Sequence, residues 1–214
     1  VIGVGGAGVQ GAAAGSLDHR RAAFRLATIA RSSCVKIGRV PPALNLESKA
    51  RCHDLDGLAG RLREAGARFG GLLRQTDTYF GVQEGRLKLR ELTHELEDGR
   101  STAGAELIRY DRPDSSGARL STYARTPVDD PGSCRRELAG RYGIRGVVRK
   151  RRELWLLRST RVHLDRVEEL GEFVELETVF GEASEDAYRA EHAAVLSLLE
   201  IGEDDTIPGS YIDL

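Results

Sequence analysis

Charged residues recur two positions apart in stretch after stretch of this chain. Arg86, Lys88 and Arg90 alternate with Leu87 and Leu89, and Lys150 and Arg152 follow Val148. Glu47 and Lys49 follow Asn45; Arg161, His163 and Asp165 alternate with Val162 and Leu164; Glu175 and Glu177 follow Phe173 and alternate with Val174 and Leu176. In a strand, residues two apart share a face, so each stretch has one apolar face and one charged face. On a single strand this describes an ordinary half-wet sheet, whose surface ion pairs are worth about 0–1 kcal/mol. Several strands with the same habit permit another arrangement. A sheet of about eight strands tends to close, and if its apolar faces turn outward against helices, the charged faces line a lumen. Like charges ~4 Å apart repel by about 4 kcal/mol at an effective dielectric near 20, so such a lumen favours an anionic occupant. Lys and Arg grip phosphate oxygens, and Glu and Asp supply the hard oxygens that Mg²⁺ or Mn²⁺ prefers. The spacing therefore points to a cavity for a metal–triphosphate.

The elements that must position these residues are mostly strands. Residues 45–52 alternate, 76–82 and 85–91 form a hairpin pair, and 105–111 and 118–126 flank the turn segment "RPDSSG". Residues 92–104, with Gly and mixed charge, read as a loop. "IRGVVRKRRELWLL" holds one strand or two joined tightly, followed by "TRVHLDRVEEL" and "EFVELETVF". Leu55, Leu58 and Leu62 lie at helical spacing behind Asp54 as N-cap, with Gly66 as a stop. Pro131 opens a short helix. A last helix begins at Ser184, with Ala187, Val195, Leu198 and Leu199 as its apolar stripe and Gly202 as its stop. The expected fold is α+β: an eight-stranded antiparallel closed β-barrel with peripheral helices.

The bulk properties narrow the partners. The 214 residues are 30% charged with a net charge of -1, which excludes a generic nucleic-acid binder. The cations are interleaved with acids and aromatic residues are few, so a single-strand nucleic-acid groove fits poorly. Cys34, Cys52 and Cys134 are odd in number and lack CxxC spacing, which argues against a zinc site or disulfide framework and fits a reducing, cytoplasmic setting. No apolar run approaches the ~20 residues of a membrane span. Residues 1–43 are expected to be a low-complexity or disordered extension, and 44–214 the folded domain after Pro41-Pro42. Gly3 to Gly8 loosely match GxGxxG, without the preceding strand that a dinucleotide fingerprint needs. The Arg-rich, acid-poor stretch 17–40 offers the alternative of an organellar transit segment. Trp155 and Tyr79 read as packing residues, His53, His94 and His192 as surface residues, Cys52 as an inert strand residue, and His163 as hydrogen-bonded to an acid.

At these residues the chain resembles the CYTH domain family of class IV adenylyl cyclases, thiamine triphosphatases and inorganic triphosphatases. The hallmark ExExK reads Asn45-Leu46-Glu47-Ser48-Lys49 here. "RQTDTYF", "GRLKLRE", "AELIRYDRPD", "GVVRKRRELWL", "RVHLDRVEELGEFVELE" and "GSYIDL" resemble further segments of the family in its order, over residues 44–214. "QTDTYF" and "SYIDL" lean toward the class IV cyclase-like branch. The resemblance implies an eight-stranded tunnel that holds a triphosphate with one or two divalent metals. By position it implies that Lys49, Lys88, Arg90, Lys150 and Arg152 clamp the triphosphate, with Arg112 or Arg109 as the mid-chain cation and Arg86 at the mouth. It implies Glu47, Asp165, Glu175 and Glu177 as ligands of Mg²⁺ or Mn²⁺, directly or through water, with Glu47, Lys49 and Asp165 as catalytic residues. Asn45 stands where the hallmark has its first glutamate; an amide coordinates through oxygen but brings no charge.

The implied activity is metal-dependent and acts on a small triphosphate: ATP, thiamine triphosphate or inorganic triphosphate. In a cyclase the ribose 3′-hydroxyl attacks the α-phosphorus and pyrophosphate leaves; in a hydrolase water attacks the terminal phosphate. The alternative is a non-catalytic binder of triphosphate, nucleotide or polyphosphate, to which Asn45 lends weight. Neither nucleic acid nor a membrane is an expected partner, and a homodimer is compatible with this reading.

Overall fold

A computed structural model describes residues 43–111 and 119–214. They form eight strands, β1 (Ala43–Arg51), β2 (Arg68–Phe80), β3 (Arg86–Glu95), β4 (Ser101–Asp111), β5 (Arg119–Pro127), β6 (Ile144–Leu157), β7 (Thr160–Val167) and β8 (Gly171–Val179). Three helices accompany them, α1 (Leu55–Glu64), α2 (Pro131–Tyr142) and α3 (Glu185–Leu198), with 3-10 turns at Glu203–Asp205 and Tyr211–Asp213. The sheet is antiparallel throughout, in the order β1-β5-β4-β3-β2-β6-β7-β8. β1 pairs with β5 on one side, through Leu46↔Leu120, and with β8 on the other, through Lys49↔Glu175. No helix among the described residues is long and apolar enough to cross a membrane.

The apolar faces of β6, β7, β8 and β1 turn outward beneath α1 and α3. Trp155, Val162, Leu164, Val174, Leu176 and Ala50 pack with Leu55, Leu58 and Leu62 of α1 and with Val195 and Leu199. Burying a leucine of this kind contributes about 1.5–3 kcal/mol, so this outer layer is what turns the charged parity inward. The helix signals act as read: the Asp54 side chain accepts from Gly57 N, and Asp130 caps the helix that Pro131 opens. A second cluster, Tyr79, Val148, Val167, Phe173 and Tyr211, lies on the other face of the sheet and joins it to the C-terminal turn.

Three expectations need correction. Residues 92–104 are not a loop: β3 continues to Glu95, β4 starts at Ser101, and only a tight turn with Gly99 at φ +81° separates them. Leu72↔Glu95 and Glu95↔Ser101 pairing extends this hairpin beyond the alternating apolar pattern, so its tip carries no periodic signal. The buried stripe of α3 is Tyr188, His192 and Val195, continued by Leu199, while Ala187 and Leu198 are exposed. His192 is therefore no surface residue. Its Nε2 meets Ser48 Oγ and its Nδ1 meets Thr178 Oγ1, both at 2.8 Å. A polar side chain satisfied on both sides can occupy a core position that hydrophobicity alone would not assign to it.

Candidate active site

The inner parity of the sheet gathers two carboxylate-centred groups of cations. On β2, Asp77 accepts from Lys88 Nζ at 2.7 Å and, bidentately, from Arg90 Nε and Nη2, both at 2.8 Å. Their register fixes the contact, since Asp77 faces Arg90 and Tyr79 faces Lys88 across β2 and β3. On the β6–β7 ladder, Asp165 faces Arg152 and takes both forks of its guanidinium at 2.6 Å, together with Lys150 Nζ at 2.9 Å. Arg152 also donates to Glu175, and Lys49 Nζ lies 3.6 Å from the same carboxylate. All of these side chains are buried except Arg90, which is partly so.

The groups sense one another. Burial alone would raise the Asp77 carboxyl, yet Arg90 and Lys88 hold it well below the usual carboxylate range, with a further pull from Lys150. Burial would likewise raise Asp165 and Glu175, but Arg152 and Lys150 depress the first, and Lys49 and Arg152 the second. Lys150 moves the other way: burial and the Arg152 charge bring its ammonium down to about 8. Five of the expected cations thus lie on the inner parity, gathered about Asp77, Asp165 and Glu175.

The carboxylates divide into two kinds. Asp165 is fully buried, and its Oδ2 also accepts from the Tyr211 hydroxyl at 2.7 Å. Both its oxygens are therefore engaged by protein donors. Glu47 and Glu177 sit directly opposite each other on β1 and β8, and Arg161 Nη1 lies 3.8 Å from Glu177. Burial, Glu175 and Glu47 together push the Glu177 carboxyl up. Beside them Asn45 is buried, and its Oδ1 has no hydrogen-bond partner among the described residues. Among the described residues no three His, Cys, Asp or Glu side chains form a ready-made metal cage. Two facing carboxylates and an orphaned amide oxygen nevertheless fit a hard divalent cation that completes its shell with phosphate and water oxygens.

Other expected residues fall differently. Arg109 shares the parity of Leu87, its β3 partner, and donates to Glu84 O, so it lies on the outer side of the sheet. Arg112 and the turn "RPDSSG" lie outside the described residues, as do residues 1–42. Arg86 binds Asp213 at 2.7 Å and so fastens the C-terminal turn. His163 does not hydrogen-bond an acid. Its Nδ1 is 3.9 Å from Glu175, whose oxygens are taken by Arg152 and Lys49, and burial with the Arg152 charge keeps the imidazole neutral. Trp155 is core, as expected. Tyr79 is buried in packing, as expected, and its hydroxyl also meets Ser210 Oγ at 2.9 Å.

Sequence reasoning missed several residues of the hollow. Asp77 was legible by parity, since it alternates with Gln75 and Tyr79 on a strand whose pairing to "GRLKLRE" was expected. Glu106 faces Arg90 across β3 and β4 and pairs with Arg125 at 3.5 Å, which brings a further cation to this side. Tyr211 lies in the "GSYIDL" segment that carries part of the family resemblance, but nothing local announces which carboxylate it reaches. Its ring lies 4.0 Å from Lys49 Nζ and 4.8 Å from Lys150 Nζ.

The comparisons with known proteins agree with this architecture. A model of the CYTH domain matches residues 43–211. A search of curated proteins finds no match. Among solved structures the chain is similar to the PH1012 protein of Pyrococcus horikoshii OT3, at 25% identity and TM-score 0.67 over 79% of this chain and 98% of that one. It is similar in fold to a conserved hypothetical protein of Pyrococcus furiosus, at 21% identity and TM-score 0.64 over 79% and 99%. The same holds for a Vibrio parahaemolyticus protein named a "putative adenylate cyclase", at 16% identity and TM-score 0.57 over 81% and 98%. With the family model spanning most of its length, the chain belongs to the CYTH domain family.

Proposed function

We propose that this protein is a divalent-metal-dependent enzyme that acts on a small triphosphate held inside a closed tunnel. The pairing of β1 with both β5 and β8 supports the tunnel. The observation that carries the activity is the convergence of Lys49, Lys88, Arg90, Lys150 and Arg152 beside a separate pair of facing carboxylates, Glu47 and Glu177. Family membership supports the same substrate class.

In this reading Asp77, Asp165 and Glu175 hold the cations extended toward a common hollow before substrate arrives. Such preorganisation removes reorganisation cost when charge develops on the phosphates. Arg90 and Arg152 offer planar forks to phosphate oxygens, and Lys49, Lys88 and Lys150 offer point charges. Glu47 and Glu177, with Asn45, would hold Mg²⁺ or Mn²⁺, with Glu175 at the next inward position of β8 in support. A cation bound there would neutralise negative charge on the phosphate oxygens. Asp165 acts by positioning Lys150 and Arg152, since its oxygens are already occupied.

Asn45 favours a second reading, a binder without turnover, because it removes a charge from the hallmark position. The deciding experiment incubates the full chain with ATP, thiamine triphosphate or inorganic triphosphate, each with Mg²⁺ and with Mn²⁺, and resolves the products. Cyclic AMP with pyrophosphate establishes a cyclase, and orthophosphate a hydrolase. Metal-dependent binding without product establishes the binder. Absence of both binding and product refutes the reading.

A further inference from the structure

The inner face accounts for Lys150 and Arg152, and leaves the alternate residues of the same strand unexplained. Arg149 and Arg151 are exposed on the outer face of β6. Arg151 stands directly opposite Arg74 on β2 and directly opposite Arg166 on β7. Three guanidiniums therefore form one row across three neighbouring strands, with Arg149 two residues along. Like charges placed directly opposite each other destabilise a sheet, and cross-strand side chains start only about 4.5–5.5 Å apart. The flanking members have relief: Arg74 pairs with Glu95 at 3.1 Å, and Arg166 with Asp56, Glu153 and Glu172 at 3.0 to 3.2 Å. Arg149 and Arg151 have no carboxylate partner among the described residues.

The row edges an open groove of about 910 Å³ on the outer side of β2, β3, β4 and β6, next to the start of α2. Its floor is small at Ala103, Gly104 and Ala105. That volume suits a ligand of nucleotide size. Four of its five lining cations are arginine, whose fork matches phosphate oxygens bidentately; the fifth, Lys150, turns its ammonium away to Asp165 on the inner face. Among the described residues no aromatic side chain lines the groove, so it lacks the stacking platform that a single nucleic-acid strand uses. Glu91, Asp129 and Glu168 on its other walls disfavour a long, dense polyanion. We propose that this groove is a second anion site, separate from the inner hollow, which binds a phosphorylated small molecule of nucleotide size through Arg149 and Arg151, with Arg74 and Arg166 flanking.

The test is equilibrium binding of ATP and of inorganic pyrophosphate to the full chain in chelator, so that no metal-dependent turnover intervenes. The Arg149→Gln/Arg151→Gln double variant alters only exposed side chains and folds as the parent does. It is expected to lose at least about tenfold in affinity for one site, while a Lys88→Gln variant, altered only in the inner hollow, keeps that site. Loss with both ligands assigns recognition to the phosphate chain; loss with ATP alone adds a nucleoside contact. Binding of both ligands unchanged by the double variant overturns the proposal. So does a concentration-dependent dimer that the double variant abolishes without any change in binding, which would give this face to a second copy of the chain. Because the readout is the outer arginines and requires no turnover, failure of the proposed triphosphate chemistry would leave this result standing.

Discussion

The Tyr211 hydroxyl donates to Asp165 Oδ2 at 2.7 Å, from a residue 46 positions away, and so ties the C-terminal turn to the most buried carboxylate of the hollow. The same turn is fixed by Ser210 Oγ, within 2.9 Å of the Tyr79 hydroxyl and 3.1 Å of the Tyr110 hydroxyl, and by Asp213 between Arg86 and Arg145. Burial and the Asp165 charge hold the phenol far above its ordinary pKa, so it stays a donor throughout the working range. Tyr211→Phe keeps the ring over Lys49 and Lys150 and removes only the hydroxyl. One hydrogen bond to a charged group contributes about 1.5–3 kcal/mol, so chemical denaturation should show a loss of that order. Asp165→Asn should cost more, about 3–5 kcal/mol, because Lys150 loses its carboxylate partner and Arg152 keeps only Glu175. Inorganic triphosphate should raise the melting temperature of Asp165→Asn more than that of the parent. An equal ligand-induced shift in both proteins would contradict the role of Asp165 as the counter-charge that the anion replaces.

Lys150 gives the site a pH limit. Burial and Arg152 bring its ammonium down to about 8, so the free protein loses this cation as pH rises through that value. A polyanionic ligand favours the charged form, and binding must therefore take up a proton above that pH. Triphosphate affinity should fall by up to tenfold for each pH unit above about 8 and stay flat just below it. Lys150→Arg, whose guanidinium does not titrate there, should remove the limb. An unchanged limb in that variant would assign the titration to another group.

Legibility followed the range of the interaction. Inward Lys88, Lys150 and Arg152 and outward Val162, Leu164, Val174 and Leu176 were all fixed by period-two alternation, which one strand displays unaided. The Asp54 and Ser184 caps are equally local. What escaped depends on partners far along the chain. The Leu92 to Gly104 hairpin is extended by pairing rather than by apolar pattern, and His192 is buried only because Ser48 and Thr178 satisfy both its nitrogens. Tyr211 reaches Asp165 only once the tail has folded back. The Arg149 and Arg151 face was visible by parity, but its like-charge row required the register of three strands.

His192 also sets an acid limit on stability. It links Ser48 to Thr178, which continues to Thr160 and Glu191 at 2.8 Å each, and so fastens α3 to β1, β7 and β8. Burial brings its imidazole down to about 4, so between roughly pH 6.5 and 4 the unfolded chain binds the extra proton and the folded one does not. Stability due to this group is fully present above 6.5 and is lost as pH falls toward 4, by roughly 3 kcal/mol in all. His192→Gln should be less stable at neutral pH, yet lose less between pH 6.5 and 4, with the buried neutral His163 and the depressed Asp77, Asp165 and Glu175 carboxyls contributing the acid dependence that remains. Denaturation midpoints measured across that interval check the slope; a parallel displacement of the whole curve would show that His192 does not titrate on unfolding.

Asn45→Glu tests the metal pair. Asn45 lies two residues before Glu47 on the same inward parity, and its Oδ1 has no donor among the described residues. A carboxylate in its place would join Glu47 and Glu177 as a third acid, in a setting where burial and the neighbouring acids already push the Glu177 carboxyl up. Without metal this adds repulsion, and the melting temperature in chelator should fall below that of the parent. With saturating Mn²⁺ the order should reverse, because a cation bound by three carboxylates stabilises the folded state by mass action. Mn²⁺ affinity measured by calorimetry should rise by about tenfold or more, since the added ligand carries a full charge where the amide carries none. If the variant is destabilised equally with and without Mn²⁺, the facing carboxylates do not hold a metal, and the inner hollow must bind its anion through the cations alone.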